Sequence, residues 1–185
     1  MILSNVEIRK AIDESRLIIT PSPQPGDYDT TAVNLHLGSA LSIPQAGAFN
    51  YDLRRGGIAT FLSRNCEHVE IPATGYVLEP KTFILGVTME RIALPIVPGG
   101  TLAARIEGKS SFARCGLLIH FTAPTVHAGW DGPLALEMIN LGAAGICLFS
   151  EMAVCQLILE AVVGDPESNP SQFQGQTAPT GTAKQ

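Results

Sequence analysis

Leu134-Ala135-Leu136-Glu137-Met138-Ile139-Asn140 is an apolar run of strand length carrying one carboxylate. Leu117-Leu118-Ile119-His120-Phe121-Thr122-Ala123 is a second such run, joined to the first by a loop from Pro124 to Gly132. Short apolar segments closed off by Gly, Pro and Asn read as strands, since helices of comparable burial need longer periodic stretches.

The same pattern extends outward. Leu17 to Thr20 reads as a strand stopped by Pro21-Ser22-Pro23. Further runs are Ala32 to Leu37, Leu41 to Ile43, His68 to Ile71, Tyr76 to Leu78 and Thr82 to Glu90. Leu102 to Ile106, Leu117 to Thr122, Leu134 to Ile139, Gly145 to Phe149 and Ala153 to Glu160 complete the set. Turn residues recur at intervals that suit an all-β sandwich or barrel, and no long amphipathic helices alternate with the strands as a parallel α/β sheet requires. One helix is expected, from about Asn5 to Ser15. Ser4 and Glu7 fit a capping box, and Ile8, Ala11 and Ile12 follow at helical spacing.

The expected organisation is one β domain over residues 1–163 and a flexible tail over 164–185, with no exact repeat and no internal linker. From Gly164 the composition turns to Gly, Pro, Ser, Gln and Thr, with Phe173 as a possible anchor. The 185 residues suffice for one substantial core, and a charged fraction of 16% excludes a strongly electrostatic chain. A net charge of −5 argues against a general nucleic-acid binder. No run approaches the roughly 20 apolar residues of a membrane span. The first residues carry no basic and apolar leader pattern, so a cytoplasmic location is expected. Cys66, Cys115, Cys147 and Cys155 form no CxxC pair and are expected as free, mostly buried thiols.

Chemistry concentrates between Arg105 and Asn140. In Gly108-Lys109-Ser110-Ser111-Phe112-Ala113-Arg114-Cys115-Gly116, Ser110 and Ser111 could cap a helical turn whose free N–H groups, with Lys109, would suit phosphate oxygens. Arg114, four residues past Ser110, would share its face. Taken alone, this is more often an ordinary surface turn, and it lacks P-loop spacing. Glu137 in its apolar strand must be paired or functional. It either forms a buried ion pair with an arginine such as Arg114 or Arg105, or serves as a catalytic carboxylate.

These segments resemble the dCTP deaminase and dUTPase superfamily. Gly108 to Leu117 looks like the G-[RK]-S-S-x-x-R-x-G-L signature of dCTP deaminases, Gly129-Trp130-x-Gly132 like the family's G-[WF]-x-G turn, and Leu136-Glu137-x-x-Asn140 like its L-E-x-x-N strand. Ala32 to Gly38 is similar to the V-D-L-R-L-G strand, and Phe173-Gln174-Gly175-Gln176 to the closing Y-Q-G-Q. The resemblance implies a distorted β-barrel or jelly-roll, assembled as a homotrimer with active sites between subunits. It implies hydrolytic deamination of a cytosine deoxynucleotide, with Mg²⁺ carried on the phosphates, no protein side chain on the metal and no catalytic zinc; the zinc-deaminase ligand spacing is absent from the sequence. Glu137 is then the general base, oriented with the water by Arg114 and Ser110. Lys109, Ser111, His120, Thr122, Ala123, Thr125, His127, Trp130, Gln156, Phe173 and Gln176 are implied as nucleotide-binding, with the tail folding over the nucleotide.

The sequence departs from the pattern at several positions. Thr125-Val126-His127 stands where the family usually has R-I-D, Asn34 and His36 replace the aspartate and arginine of V-D-L-R-L-G, and Gln172 replaces a frequent lysine. Each lost charge-assisted bond is worth about 1.5–3 kcal/mol, so the phosphate and sugar contacts are expected to be weaker. An active dCTP deaminase, a divergent deaminase or hydrolase for a modified or less phosphorylated cytosine nucleotide, and a non-catalytic nucleotide-binding paralogue remain open. Retention of Ser110, Arg114 and Glu137 together favours catalysis, and His127 in place of the aspartate disfavours a dUTPase.

Overall fold

A computed structural model describes residues 1–47 and 50–181; the last four residues of the tail lie outside it. The chain begins with α1 (Asn5–Asp13), β1 (Ile18–Thr20), β2 (Val33–His36) and β3 (Ala40–Pro44). There follow α2 (Ile58–Asn65), β4 (Cys66–Glu70), β5 (Tyr76–Leu78), β6 (Phe83–Ala93) and β7 (Leu102–Gly108). α3 (Ser110–Ala113), β8 (Leu117–Ile119), β9 (Thr125–Val126), β10 (Asp131–Asn140), β11 (Ile146–Leu148) and β12 (Ala153–Ala161) complete the fold. The fold is mainly β, as the turn spacing predicts.

All the strand pairs are antiparallel. One sheet runs β4-β3-β6-β10-β8 with β1 also on β6, a second runs β2-β12-β7-β9, and β5 pairs with β11. The core forms where the inner faces meet, around Leu35, Leu37, Ile84, Ile106, Leu136 and Leu157. Burial drives this packing at roughly 25 cal/mol per Å² of apolar surface.

α1 follows from its sequence. The Ser4 side chain accepts from Glu7 N, and Ile8 and Ala11 are fully buried. The helix ends at Asp13, two residues before the expected boundary, and Ser15 turns to φ 57. α2 is absent from the sequence reading. It starts behind Gly56 and Gly57, both at positive φ, and Gly57 offers no capping side chain.

The strand expected to run to Thr122 stops at Ile119, because His120 adopts φ 53, a left-handed conformation uncommon for residues with a Cβ. The Ser110-Ser111 turn also differs from expectation. Lys109, without a capping side-chain bond, is the N-cap, and both serines lie inside the turn.

β10 alternates strictly. Gly132, Leu134, Leu136, Met138 and Asn140 are buried, while Asp131, Pro133, Ala135, Glu137 and Ile139 are half-buried on the other face. Period-2 geometry thus turns Glu137 away from the core. Asn140 locks the strand's end: its amide donates to Leu78 O and Ala144 O and accepts from Gly142 N. The turn after α3 packs backbone to backbone on the turn after β10. A Cβ on Gly116 (φ +94) would sit 2.2 Å from Gly142 N, so glycine is required there.

Two of the four thiols, Cys115 and Cys147, are exposed; Cys66 is half-buried and Cys155 buried, and all four are free. The expectation of mostly buried cysteines therefore fails, because residues 115 and 147 fall at a helix end and on the outer face of a two-stranded ribbon. Burial pushes the Cys155 thiol well above its ordinary value. Among the described residues no helix is long and apolar enough to cross a membrane.

Candidate active site

Glu137 opens onto a cavity of about 510 Å³ on the half-buried face of β10. Its floor comes from Leu85, directly opposite Glu137 in the β6–β10 register, together with Ala135 and Ile106. The His127–Trp130 loop forms one wall, and α2 contributes Ile58 and Leu62 to another. The tail closes the cavity with Phe173, Gln174, Gln176 and Pro179. Predominantly apolar walls with a few convergent polar groups are typical of small-molecule sites.

The tail is tied down by backbone and side-chain bonds. Gly175 N donates to Asp131 O, Gln174 Nε2 to Gly129 O and Gln176 Nε2 to Pro133 O. Gln176 is 4% exposed. Trp130 Nε1 donates to Gly132 O, which fixes the indole beside the cavity.

The centre of the site is a carboxylate–imidazole pair. His120 N donates to Glu137 O, and the left-handed turn at His120 brings its ring back over the strand. Nδ1 then lies 2.8 Å from Glu137 Oε2, and Nε2 lies 2.7 Å from Ala123 O. The two side chains are only 12% and 32% exposed. Neither Nδ1 nor Oε2 makes a well-aligned hydrogen bond, so the contact is a close ion pair with hydrogen-bonding capacity left at the carboxylate.

Burial alone would depress the His120 pKa, but the Glu137 carboxylate and the Ala123 and Ala135 carbonyls reverse this and hold it above its ordinary value. Burial alone would raise the Glu137 pKa; His120 beside it holds it below the usual carboxylate range. The ionised pair is the favoured state. The carboxylate's partner is therefore a histidine rather than Arg114 or Arg105. Arg105 faces Glu107 and Glu160 on another sheet.

Of the residues singled out in the sequence, Glu137, His120, Ala123, Thr125, His127, Trp130, Phe173 and Gln176 line this one cavity. Lys109, Ser110, Ser111, Arg114, Thr122 and Gln156 do not. Register explains the separation of α3 from Glu137. Leu117 pairs with Asn140, so α3 lies beyond that end of β10, three residues or about 10 Å of strand from Glu137. Gln156 sits on the other sheet, bonded to Asp29. Of the described residues lining the cavity, none is a lysine or arginine and Glu137 is the one carboxylate. Sequence reasoning missed Ile58, Leu62 and Gln174; the apolar spacing of Ile58, Phe61 and Leu62 was a usable signal for α2.

The substituted positions near β2 have partners of their own. His36 Nδ1 lies 2.5 Å from Glu90 Oε1, and its Nε2 3.4 Å from Asp27 Oδ1. Asn34 accepts a 2.7 Å bond from Lys109 Nζ.

Residues 2–162 match the family described as dCTP deaminase-like. The chain belongs to that family. A dCTP deaminase of Rhodospirillum rubrum is 34% identical over 97% of this chain and 94% of its own length. A dUMP-forming dCTP deaminase of Methanosphaera stadtmanae is 29% identical over 96% of this chain and 91% of its own. Among solved structures, a 2'-deoxycytidine 5'-triphosphate deaminase from Agrobacterium tumefaciens superposes with a TM-score of 0.68 at 22% identity. It covers 87% of this chain, which spans 48% of that longer one, and the likeness establishes the shared fold. The carboxylate of the L-E-x-x-N strand, Glu137, lines the cavity.

Proposed function

We propose that this protein is a hydrolytic deaminase converting dCTP and water to dUTP and ammonia. The observation that carries this reading is Glu137: an ionised, half-buried carboxylate with unused hydrogen-bonding capacity, facing a cavity of about 510 Å³. Glu137 takes a proton from the water that attacks C4 of the cytosine ring. It delivers that proton to the ring nitrogen N3 and then passes the proton of the new C4 hydroxyl to the amine, so that ammonia leaves as the C4–N bond breaks and the C4 oxygen becomes the carbonyl. His120 keeps the carboxylate ionised and oriented between turnovers. The backbone from His120 to Ala123 reads the edge of the base, and Phe173 and Gln176 close the tail over the nucleotide.

Among the described residues the lining supplies no lysine or arginine, and His120 is already paired with Glu137, so the phosphates must be met from elsewhere. Lys109, Ser110, Ser111 and Arg114 would reach the nucleotide from a second copy, with Ser110 and Arg114 orienting the water and Glu137 across the boundary. This carries with it a homotrimer with shared sites. Among the described residues no three His, Cys, Asp or Glu side chains converge on a metal position. A Mg²⁺ accompanying the substrate would be held by phosphate oxygens, where it would neutralise their charge. Thr125-Val126-His127, standing where the family usually has R-I-D, offers no carboxylate for another water, which supports release of dUTP over a second hydrolysis to dUMP. A cytoplasmic setting is in keeping with four cysteines that form no disulfide.

The test is a panel of dCTP, dCMP, CTP, 5-substituted dCTP and dUTP, with and without Mg²⁺, followed for ammonia and pyrophosphate. Ammonia from dCTP without pyrophosphate is the expected result. Pyrophosphate released in step with ammonia would establish dUMP as the product instead. Tight binding of a nucleotide with no turnover would replace the enzyme by a non-catalytic binding protein.

A further inference from the structure

Lys109 opens the Gly108–Gly116 segment, and its ammonium is held: Nζ donates a 2.7 Å hydrogen bond to Asn34 Oδ1. An ammonium can only donate, so the amide oxygen must be the atom that faces it. Asn34 is 9% exposed and fixed in β2, opposite Gln156 of β12, which in turn lies opposite Glu107 of β7. Three hydrogen-bonded strands therefore set the distance between Asn34 and the lysine two residues past Glu107. Among the described residues no carboxylate makes an ion pair with Lys109.

We propose that Asn34 is a positioning residue for phosphate recognition: its neutral amide orients Lys109 and leaves the full positive charge available to a nucleotide's phosphates. A carboxylate at residue 34 would hold the same ammonium but neutralise it. An apolar side chain would leave it uncompensated but free to swing. The amide orients the ammonium without adding a counter-charge. This inference rests on the reading above that the Gly108–Gly116 segment serves the phosphates, and it makes residue 34 a determinant of affinity for the polyphosphate rather than for the base.

The experiment compares wild type, Asn34→Asp, Lys109→Met and the double variant as intact oligomers. It reads kcat and KM for dCTP, the Kd of inorganic triphosphate by calorimetry, and the thermal midpoint. Asn34→Asp is nearly isosteric. It is expected to raise both KM and the triphosphate Kd about tenfold, the scale of one charge-assisted contact. kcat should stay within about threefold, because the contact is made equally in ground and transition states. In the Lys109→Met background the Asp substitution should add nothing. Should Asn34→Asp fail to fold, Lys109→Met alone must weaken triphosphate binding by at least as much. A triphosphate Kd unchanged in either variant, or an equal loss from Asn34→Asp with Lys109 already removed, overturns the proposal. Wild-type binding of triphosphate that weakens in Asn34→Asp, without any deamination of dCTP, leaves the role of Asn34 standing and defeats the deaminase reading alone.

Discussion

Replacing His120 by Gln removes a charge from the centre of the site while leaving a side chain able to donate one hydrogen bond. The imidazole lies 2.8 Å from Glu137 Oε2, with the two side chains 12% and 32% exposed. Breaking a fully buried pair costs about 3–5 kcal/mol, and the partial exposure of Glu137 reduces this to about 1–3 kcal/mol. The sign depends on pH. His120 is raised above 6.5, so its contribution is fully present below 6.5 and is lost as pH climbs through its raised value. Glu137 is lowered below 4.5, so its contribution is fully present above 4.5 and is lost as pH falls through its lowered value. The pair is therefore worth most between 4.5 and 6.5. Urea unfolding of wild type and His120→Gln at one protein concentration should differ by about 1–3 kcal/mol near pH 6 and converge as the solution is made alkaline. With the histidine's charge gone, less opposes the effect of burial on Glu137, so the acid limb of kcat/KM should move to higher pH. A destabilisation equal at pH 6 and pH 10, with an unmoved acid limb, would refute the assignment of an ionised pair.

Three further outcomes follow from other parts of the fold. Asn140→Ala should cost about 1–3 kcal/mol in urea unfolding, because the buried amide bonds the backbone of Leu78, Ala144 and Gly142 and the Leu78 carbonyl would be left without its buried partner. Truncation after residue 170 should raise KM for dCTP at least tenfold while the β domain keeps its thermal midpoint within a few degrees, since Phe173, Gln174 and Gln176 face the cavity rather than the core. Mixing Arg114→Ala and Glu137→Gln subunits after joint refolding should restore part of the ammonia release that each variant lacks alone. Sites contained within one subunit would give none.

The strand inventory was legible because turn residues punctuate it, and α1 because Ser4 and Glu7 mark its start. α2 was not, since the Gly56-Gly57 pair that starts it reads as a loop and offers no cap. The chemistry was legible in part. Glu137 stood out as a charge among aliphatics, yet its apolar neighbours suggested deep burial, when the alternation of Leu134, Leu136 and Met138 already placed it on the opposite face. Its partner could not be read locally. It depends on the β8–β10 register and on the left-handed turn at His120, and nothing in the residues around 120 requires that conformation. Asn34 and His36 looked like lost charges in the sequence; in three dimensions one holds Lys109 and the other bridges Glu90 and Asp27.

The most direct measurement is ammonia release from dCTP by wild type and by Glu137→Gln, with nucleotide binding followed in parallel. A glutamine keeps the shape of the side chain and cannot accept the water's proton. Steady turnover by wild type, falling about 10²–10⁴-fold in the variant while dCTP still binds, is the result expected of a general base. Ammonia release from Glu137→Gln within threefold of wild type would contradict the account.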